Sequence, residues 1–169
     1  MTQRVLVVGS DGYIGTQLCG RLQMSRAVLG IDTGFYADAT LYAPSWEPPP
    51  TIRVDVRDVS ERELVGFDAV VYLADLTDPL SQAFPRLADA INHLAAVRLA
   101  SISKLAGVQR FVYSSSASVY GDSGMDIVDE DSPTRPLTPY AAAKLQVERH
   151  LGSLHDDAFT VVCLRNATV

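Results

Sequence analysis

Tyr140 and Lys144 stand four residues apart in the run TPYAAAK. On a helix that spacing places both side chains on one face, about one turn apart. An ammonium beside a phenol favours the phenolate and draws a tyrosine down from its ordinary pKa of about 10. Tyr140 is therefore a candidate general acid or base. The same spacing also arises where a half-buried tyrosine neighbours a surface lysine, so its meaning depends on what faces it. The run SSSASVYG at 114–121 supplies a hydroxyl. Ser116 could hydrogen-bond the oxygen whose proton Tyr140 transfers, although serines at a strand end also serve as turn residues.

A second constellation opens the chain. Gly9, Gly12 and Gly15 follow the apolar run at 5–8 and precede a helical pattern. A turn of this kind lets a pyrophosphate approach the backbone and meet the positive end of a helix. Spaced glycines alone also occur where only packing requires them. Asp32 lies seventeen residues beyond Gly15, after a second apolar run. An acidic side chain at that distance can accept hydrogen bonds from an adenosine ribose and repel a 2'-phosphate, which favours NAD over NADP. It also reads as a solvated turn residue. Asp55, after the third run, could meet an adenine amino group or be a turn carboxylate.

These residues need elements to carry them. Apolar runs without alternation at 5–8, 27–31, 52–56, 69–73, 110–113 and 159–164 suit strands covered on both faces. Ile14, Leu18 and Leu22 repeat every four residues as one helical stripe. A helix is predicted over 86–106, with Pro85 at its start and Gly107 just past its end. Another begins at Thr138 as cap, with Pro139 in the first turn, where a missing N–H costs nothing. Residues 33–50 lose the pattern and read as an irregular connection. Strands alternating with helices predict a doubly wound α/β fold, a parallel sheet between two helical layers. Ligands of such sheets bind beyond the carboxyl ends of the strands.

Composition narrows the function. The 169 residues are 47% hydrophobic and 20% charged, with a formal net charge of −6, which fits one globular domain and disfavours nucleic acid as a partner. Cys19 and Cys163 have neither a disulfide framework nor metal-ligand spacing, and no metal is expected. The opening apolar stretch is far too short for a secretory core or a membrane span, so a cytoplasmic location is expected and no membrane partner. No Gly-x-Ser-x-Gly elbow is present, and His93, His150 and His155 fall on or beside predicted helices, which argues against a serine hydrolase triad.

Taken in order, VLVVGSDGYIG, Asp32, VDVRD, VVYLADLTDP, Asn92, SSSASVYG and TPYAAAK resemble the extended short-chain dehydrogenase/reductase family, in its nucleotide-sugar epimerase and dehydratase branch. The resemblance implies a Rossmann-like domain over 1–169 that corresponds to the cofactor half of a family member and lacks most of the substrate region. It implies bound NAD, held by the glycine turn (Gly9, Asp11, Gly12, Tyr13, Ile14 and Gly15), by Asp32 at the ribose, and by Asp55 and Val56 at adenine. Leu73, Ala74 and Ser114 would line the cofactor, Lys144 would hold the nicotinamide ribose, and Asn92 would support the active-site geometry. Ser116, Tyr140 and Lys144 would be catalytic, Tyr140 exchanging a proton with the sugar while hydride passes to NAD and back. A homodimer through the two long helices is also implied.

Three departures stand out against that pattern. Tyr72 replaces a usual His, Asp75 puts a charge beside the expected crevice, and Thr168 occupies a position that usually holds a substrate-contacting Asn. Two other readings stay open: a module that holds NAD without turnover, and a small-ketone reductase that consumes reduced cofactor.

Overall fold

The computed structural model describes residues 2–37, 46–124 and 127–167. Six parallel strands form one sheet: β1 (Arg4–Val8), β2 (Ala27–Asp32), β3 (Thr51–Arg53), β4 (Ala69–Tyr72), β5 (Arg110–Ser116) and β6 (Thr160–Asn166). Their order is β3-β2-β1-β4-β5-β6. The chain winds outward from β1 to β3, then returns to the other side of β1 and winds outward again. Strand order thus reverses between β1 and β4, where Val8 lies beside Tyr72 and the Leu73 N–H donates to the Val8 carbonyl at 2.8 Å. A crevice opens at such a reversal.

The two faces of the sheet are covered unequally. Leu6, Val8, Val70, Phe111 and Tyr113 enter the main core, closed by Leu99 and Ala100 of α4 (Ala96–Leu105) and Val147 and Leu151 of α5 (Pro139–Leu154). On the other face, Val5 and Val7 pack against Cys19 of α1 (Tyr13–Gln23). The central strands are buried on both sides, as their unbroken apolar runs predict. The outermost strand β6 differs: Val161 and Cys163 turn inward, while Val162 and Leu164 remain 41% and 47% exposed. The helical layer on that face consists, among the described residues, of α1, which packs on β1 and β2.

The expected stripe on α1 is also turned. Gly15, Cys19 and Gly20 are buried, whereas Ile14 is exposed. The cause is close contact at the helix start: a Cβ on Gly15 would come within 2.1 Å of the Gly9 carbonyl. Small residues let the helix lie against the turn, and Trp46 covers Gly20.

The helix expected over 86–106 is present in three parts: α3 (Pro85–Ala88), a π-helical segment (Asp89–Ala95) and α4. It begins at Pro85. It ends in a Schellman motif, with Gly107 at φ 82°, its N–H on the Lys104 carbonyl and the Val108 N–H on the Ser103 carbonyl. Thr138 caps α5 by accepting from the Ala141 N–H at 3.1 Å. A short helix, α2 (Asp78–Ala83), is additional, and its signal is Thr77 followed by Pro79 in the first turn. The third strand stops at Arg53, short of the predicted 52–56. There the Asp55 carboxylate accepts the Arg57 N–H at 2.9 Å and starts a 3-10 turn. The connection at 33–50 is irregular where described; residues 38–45 lie outside the described residues, as does Thr168.

Candidate functional site

One end of the crevice is made largely of backbone. Gly9 has φ +86°, and a Cβ there would meet the Ala74 nitrogen at 2.7 Å. Only glycine accommodates both the left-handed conformation and the close passage of Leu73 and Ala74. Gly12 differs from Gly9 and Gly15, since a Cβ there would stand 3.5 Å from the nearest atom, an ordinary contact. The fold itself does not demand this glycine. It is the N-cap of α1, and no described side chain caps that helix, so its first turn offers N–H groups to an anion. Tyr13 and Ile14 sit exposed at the mouth.

Asp32 ends β2. Its carboxylate accepts the Asp11 N–H at 3.0 Å and the Gly34 N–H at 2.7 Å, which pins the glycine turn to the second strand. Arg53 lies beside Asp32 in register and pairs with the Asp11 carboxylate. Asp11 and Arg53 border a cavity of about 240 Å³ whose walls include Ser10, Thr16 and Trp46. Asp55 is engaged in a two-point ion pair with Arg57, at 2.7 and 2.9 Å. The guanidinium holds its carboxyl below the usual carboxylate range. Val56 is buried in the main core.

The other end is made of side chains. Lys144 is 3% exposed; its ammonium donates to the Ser114 carbonyl at 2.7 Å and pairs with Asp75 at 3.0 Å. It also lies 4.8 Å from the Tyr113 ring centre and 5.4 Å from that of Tyr140. The helical spacing of Tyr140 and Lys144 thus becomes a true juxtaposition. Asp75 has 14% of its side chain exposed and feels both Lys144 and Tyr140. Burial pushes its carboxyl above the usual range, against the opposing pull of Lys144 and Tyr140.

Ser116 stands at the end of β5 as cap of the turn Ala117–Tyr120, its hydroxyl accepting from the Ser118 N–H at 3.1 Å and the Ser118 hydroxyl at 2.8 Å. Ser114 accepts from Asn166 at 3.0 Å. Asn92 is buried in the π-helical segment, with both ends of its amide on the Leu76 backbone at 2.8 Å. It therefore acts on the loop that follows Asp75. Tyr72 is buried and donates to the Ile91 carbonyl at 2.9 Å.

Sequence reasoning flags Asp75 only as a stray charge; its contact with both Tyr140 and Lys144 emerges from packing. A second group has no expectation at all. Glu148 pairs with Arg165 at 2.8 Å and accepts from Ser115, while Arg165 donates to the Tyr120 hydroxyl at 2.9 Å. This bracket ties α5, β6 and the serine-rich strand end together. Its signal is spacing, since Glu148 continues the row of Tyr140 and Lys144 four residues further along α5.

A sheet of this order, with a glycine turn after β1 and an acidic residue after β2, defines a dinucleotide-binding Rossmann-type domain. Residues 5–169 match the NAD dependent epimerase/dehydratase family, and the chain belongs to it. NAD is the cofactor of that family. A UDP-glucose 4-epimerase of Mycolicibacterium smegmatis is 31% identical over 156 residues, 88% of this chain and 50% of the relative. Among solved structures, a UDP-N-acetylglucosamine 4-epimerase from Methanobrevibacter ruminantium M1, in complex with UDP-N-acetylmuramic acid, superposes with a TM-score of 0.87 at 30% identity, covering 98% of this chain and 55% of that one. An NAD dependent NDP-hexosamine 5,6-dehydratase involved in tunicamycin biosynthesis gives 0.82 at 27% identity, covering 97% and 54%. The chain spans about half the length of these relatives. Among the described residues, no helix is long and apolar enough to cross a membrane.

Proposed function

We propose that this chain is the NAD-binding portion, residues 1–169, of an enzyme that acts on a nucleotide-linked sugar, with Tyr140 as its acid and base. The observation that carries the reading is convergence: the glycine turn after β1, the loop after β4 and the row Tyr140–Lys144 on α5 all meet at the reversal of strand order. The residues fit the cofactor. Gly12 leaves a helix N-terminus open to a pyrophosphate, Asp32 offers a carboxylate to a ribose, and Leu73 and Ala74 line the passage between the two ends. Bound NAD supplies a reversible acceptor for hydride. Tyr140 exchanges a proton with the sugar hydroxyl, Ser116 orients that oxygen, Lys144 holds the nicotinamide ribose, and Asn92 fixes the loop between them. Asp55 and Val56 serve the adenine end, with Asp55 directed by Arg57.

The relatives named above include both epimerases and a dehydratase, so the reading covers transient oxidation and leaves its outcome to experiment. NAD should raise the melting temperature of the protein, and UDP-sugars should then yield a new product or reduced cofactor. Tyr140→Phe should abolish turnover with NAD binding nearly unchanged. Stabilisation by NAD with no turnover of any nucleotide sugar would instead identify a binding module, and net NADH consumption a reductase.

The same reading extends to a homodimer through the 85–105 segment and α5. Leu87 and Leu94 are exposed there, and His93 stacks on His150 with ring centres 5.3 Å apart. Two free cysteines, each raised to about 11 by burial, accord with a cytoplasmic setting.

A further inference from the structure

Asp32, the carboxylate offered to the ribose, has charged neighbours that the glycine turn alone does not account for. Each of its oxygens takes one backbone N–H, from Asp11 at 3.0 Å and from Gly34 at 2.7 Å, which leaves each oxygen a further lone pair for a ribose hydroxyl. A guanidinium lies beside both donors. Arg53 ends β3 in register with Asp32, and its Nη1 passes 3.3 Å from where a Cβ on Gly34 would stand. The same nitrogen pairs with the Asp11 carboxylate, which also accepts the Ser10 hydroxyl at 3.3 Å. The hold on Asp32 comes from the Asp11 backbone, so the turn does not require a carboxylate side chain at this position.

We propose that Asp11 and Arg53 act together as a determinant of dinucleotide choice: Asp11 occupies the guanidinium that would otherwise meet a 2'-phosphate, and so adds to the discrimination against NADP that Asp32 begins. This inference deepens the reading of Asp32 at the ribose and rests on it.

Two carboxylates and one guanidinium meet at this rim, for a net charge of −1. A phosphate monoester brings roughly −1.5 to −2 more at neutral pH. A free arginine fork can take two of its oxygens through parallel N–H bonds, but here one arm of the fork is already spent on Asp11. The Arg53 side chain is 52% exposed and that of Asp11 16%, so the cation stands where an incoming phosphate reaches it while its partner is fixed in the turn. Arg53 also feels the Asp32 charge. NAD, which has hydroxyls only on that ribose, needs no such cation.

Calorimetric titration of NAD and of NADP into the protein and its variants reads the ratio of the two dissociation constants, without sugar or turnover. Asp11→Ala frees the guanidinium and should improve NADP relative to NAD by about tenfold, the worth of one charge-assisted contact. Arg53→Met should move the ratio the other way. In the double variant the net charge of the rim is again that of the parent, and the ratio should return to the parent's. An unchanged ratio in Asp11→Ala overturns the proposal, and so does a gain that survives in the double variant, since Arg53 then has no part in it. Arg53→Met tests the same point without relying on any Asp11 variant to fold: a ratio that stays put or moves towards NADP there also overturns the proposal. Asp32→Ala separates the two levels. If it leaves the ratio where it was, the reading of Asp32 at the ribose has failed; if it shifts the ratio and Asp11→Ala does not, only the role of Asp11 and Arg53 has.

Discussion

The two ends of the crevice are built by different means. At the glycine-turn end the determinants are backbone conformation and half-buried carboxylates, contributed mostly by residues close in sequence: Gly9, Gly12, Gly15 and Asp11, with Asp32 reached across one strand pairing. At the Tyr140 end they are side chains, largely enclosed, brought together from β4, β5 and α5 over a long stretch of chain. The Arg53–Asp11 pair at the first end has a half-exposed guanidinium that water screens, so its loss is mild. At the second, Lys144 and Asp75 pair in an enclosed site, and removing one leaves the other stranded.

The sharpest challenge to this contrast is Lys144→Met. It leaves the Asp75 carboxylate enclosed without its cation and should destabilise the fold by about 3–5 kcal/mol at neutral pH, read by urea unfolding. Adding Asp75→Asn should restore much of that. If the single variant unfolds like the parent, the Tyr140 end is no more coupled than the glycine-turn end. Next in size is Gly9→Ala, where the left-handed backbone alone costs about 1–2 kcal/mol and the contact with Ala74 adds to it. By comparison Gly12→Ala should cost about 1 kcal/mol or less, as a change of N-cap, yet weaken NAD in calorimetric titration. Equal losses of stability at the two glycines would mean that packing alone explains both.

Asp32→Ala should weaken NAD about tenfold, near 1.4 kcal/mol, and narrow its advantage over NADP. A parent protein that binds both cofactors equally would remove Asp32 from the ribose. The smallest effect is in the pH dependence of stability, where the two ends should differ in sign. Asp55 is lowered by Arg57, so its contribution is present above the ordinary carboxylate range and fades as the pH falls through its folded pKa. Asp75 is raised by burial, so its contribution is full below the ordinary range and fades as the pH rises towards its folded pKa. Unfolding profiles of Asp55→Asn and Asp75→Asn should therefore deviate from the parent in opposite directions.

Much of the fold is legible in local patterns. Central strands buried on both faces must be apolar throughout, and the caps at Thr138 and Gly107 are set by chemistry within a few residues. The expectation fails where distant contacts intervene. Gly15 against the Gly9 carbonyl turns α1 away from its apparent stripe, and β6 reads as doubly covered although Val162 and Leu164 are exposed. At the site, Tyr140 and Lys144 are legible because helical periodicity predicts their common face. Asp75 is not, because nothing near it in the chain announces the ammonium it meets.

The amino-acid sequence by itself determined the alternation of strands and helices, the glycine turn, and the pairing of a phenol with an amine on one helix, since each follows from conformational preferences acting over a few residues. Tertiary structure alone decided that a carboxylate from the loop after β4 would lie against both of them. Electrostatic partnership depends on distance in space and on exclusion of water, and both arise only when β4, β5 and α5 pack together.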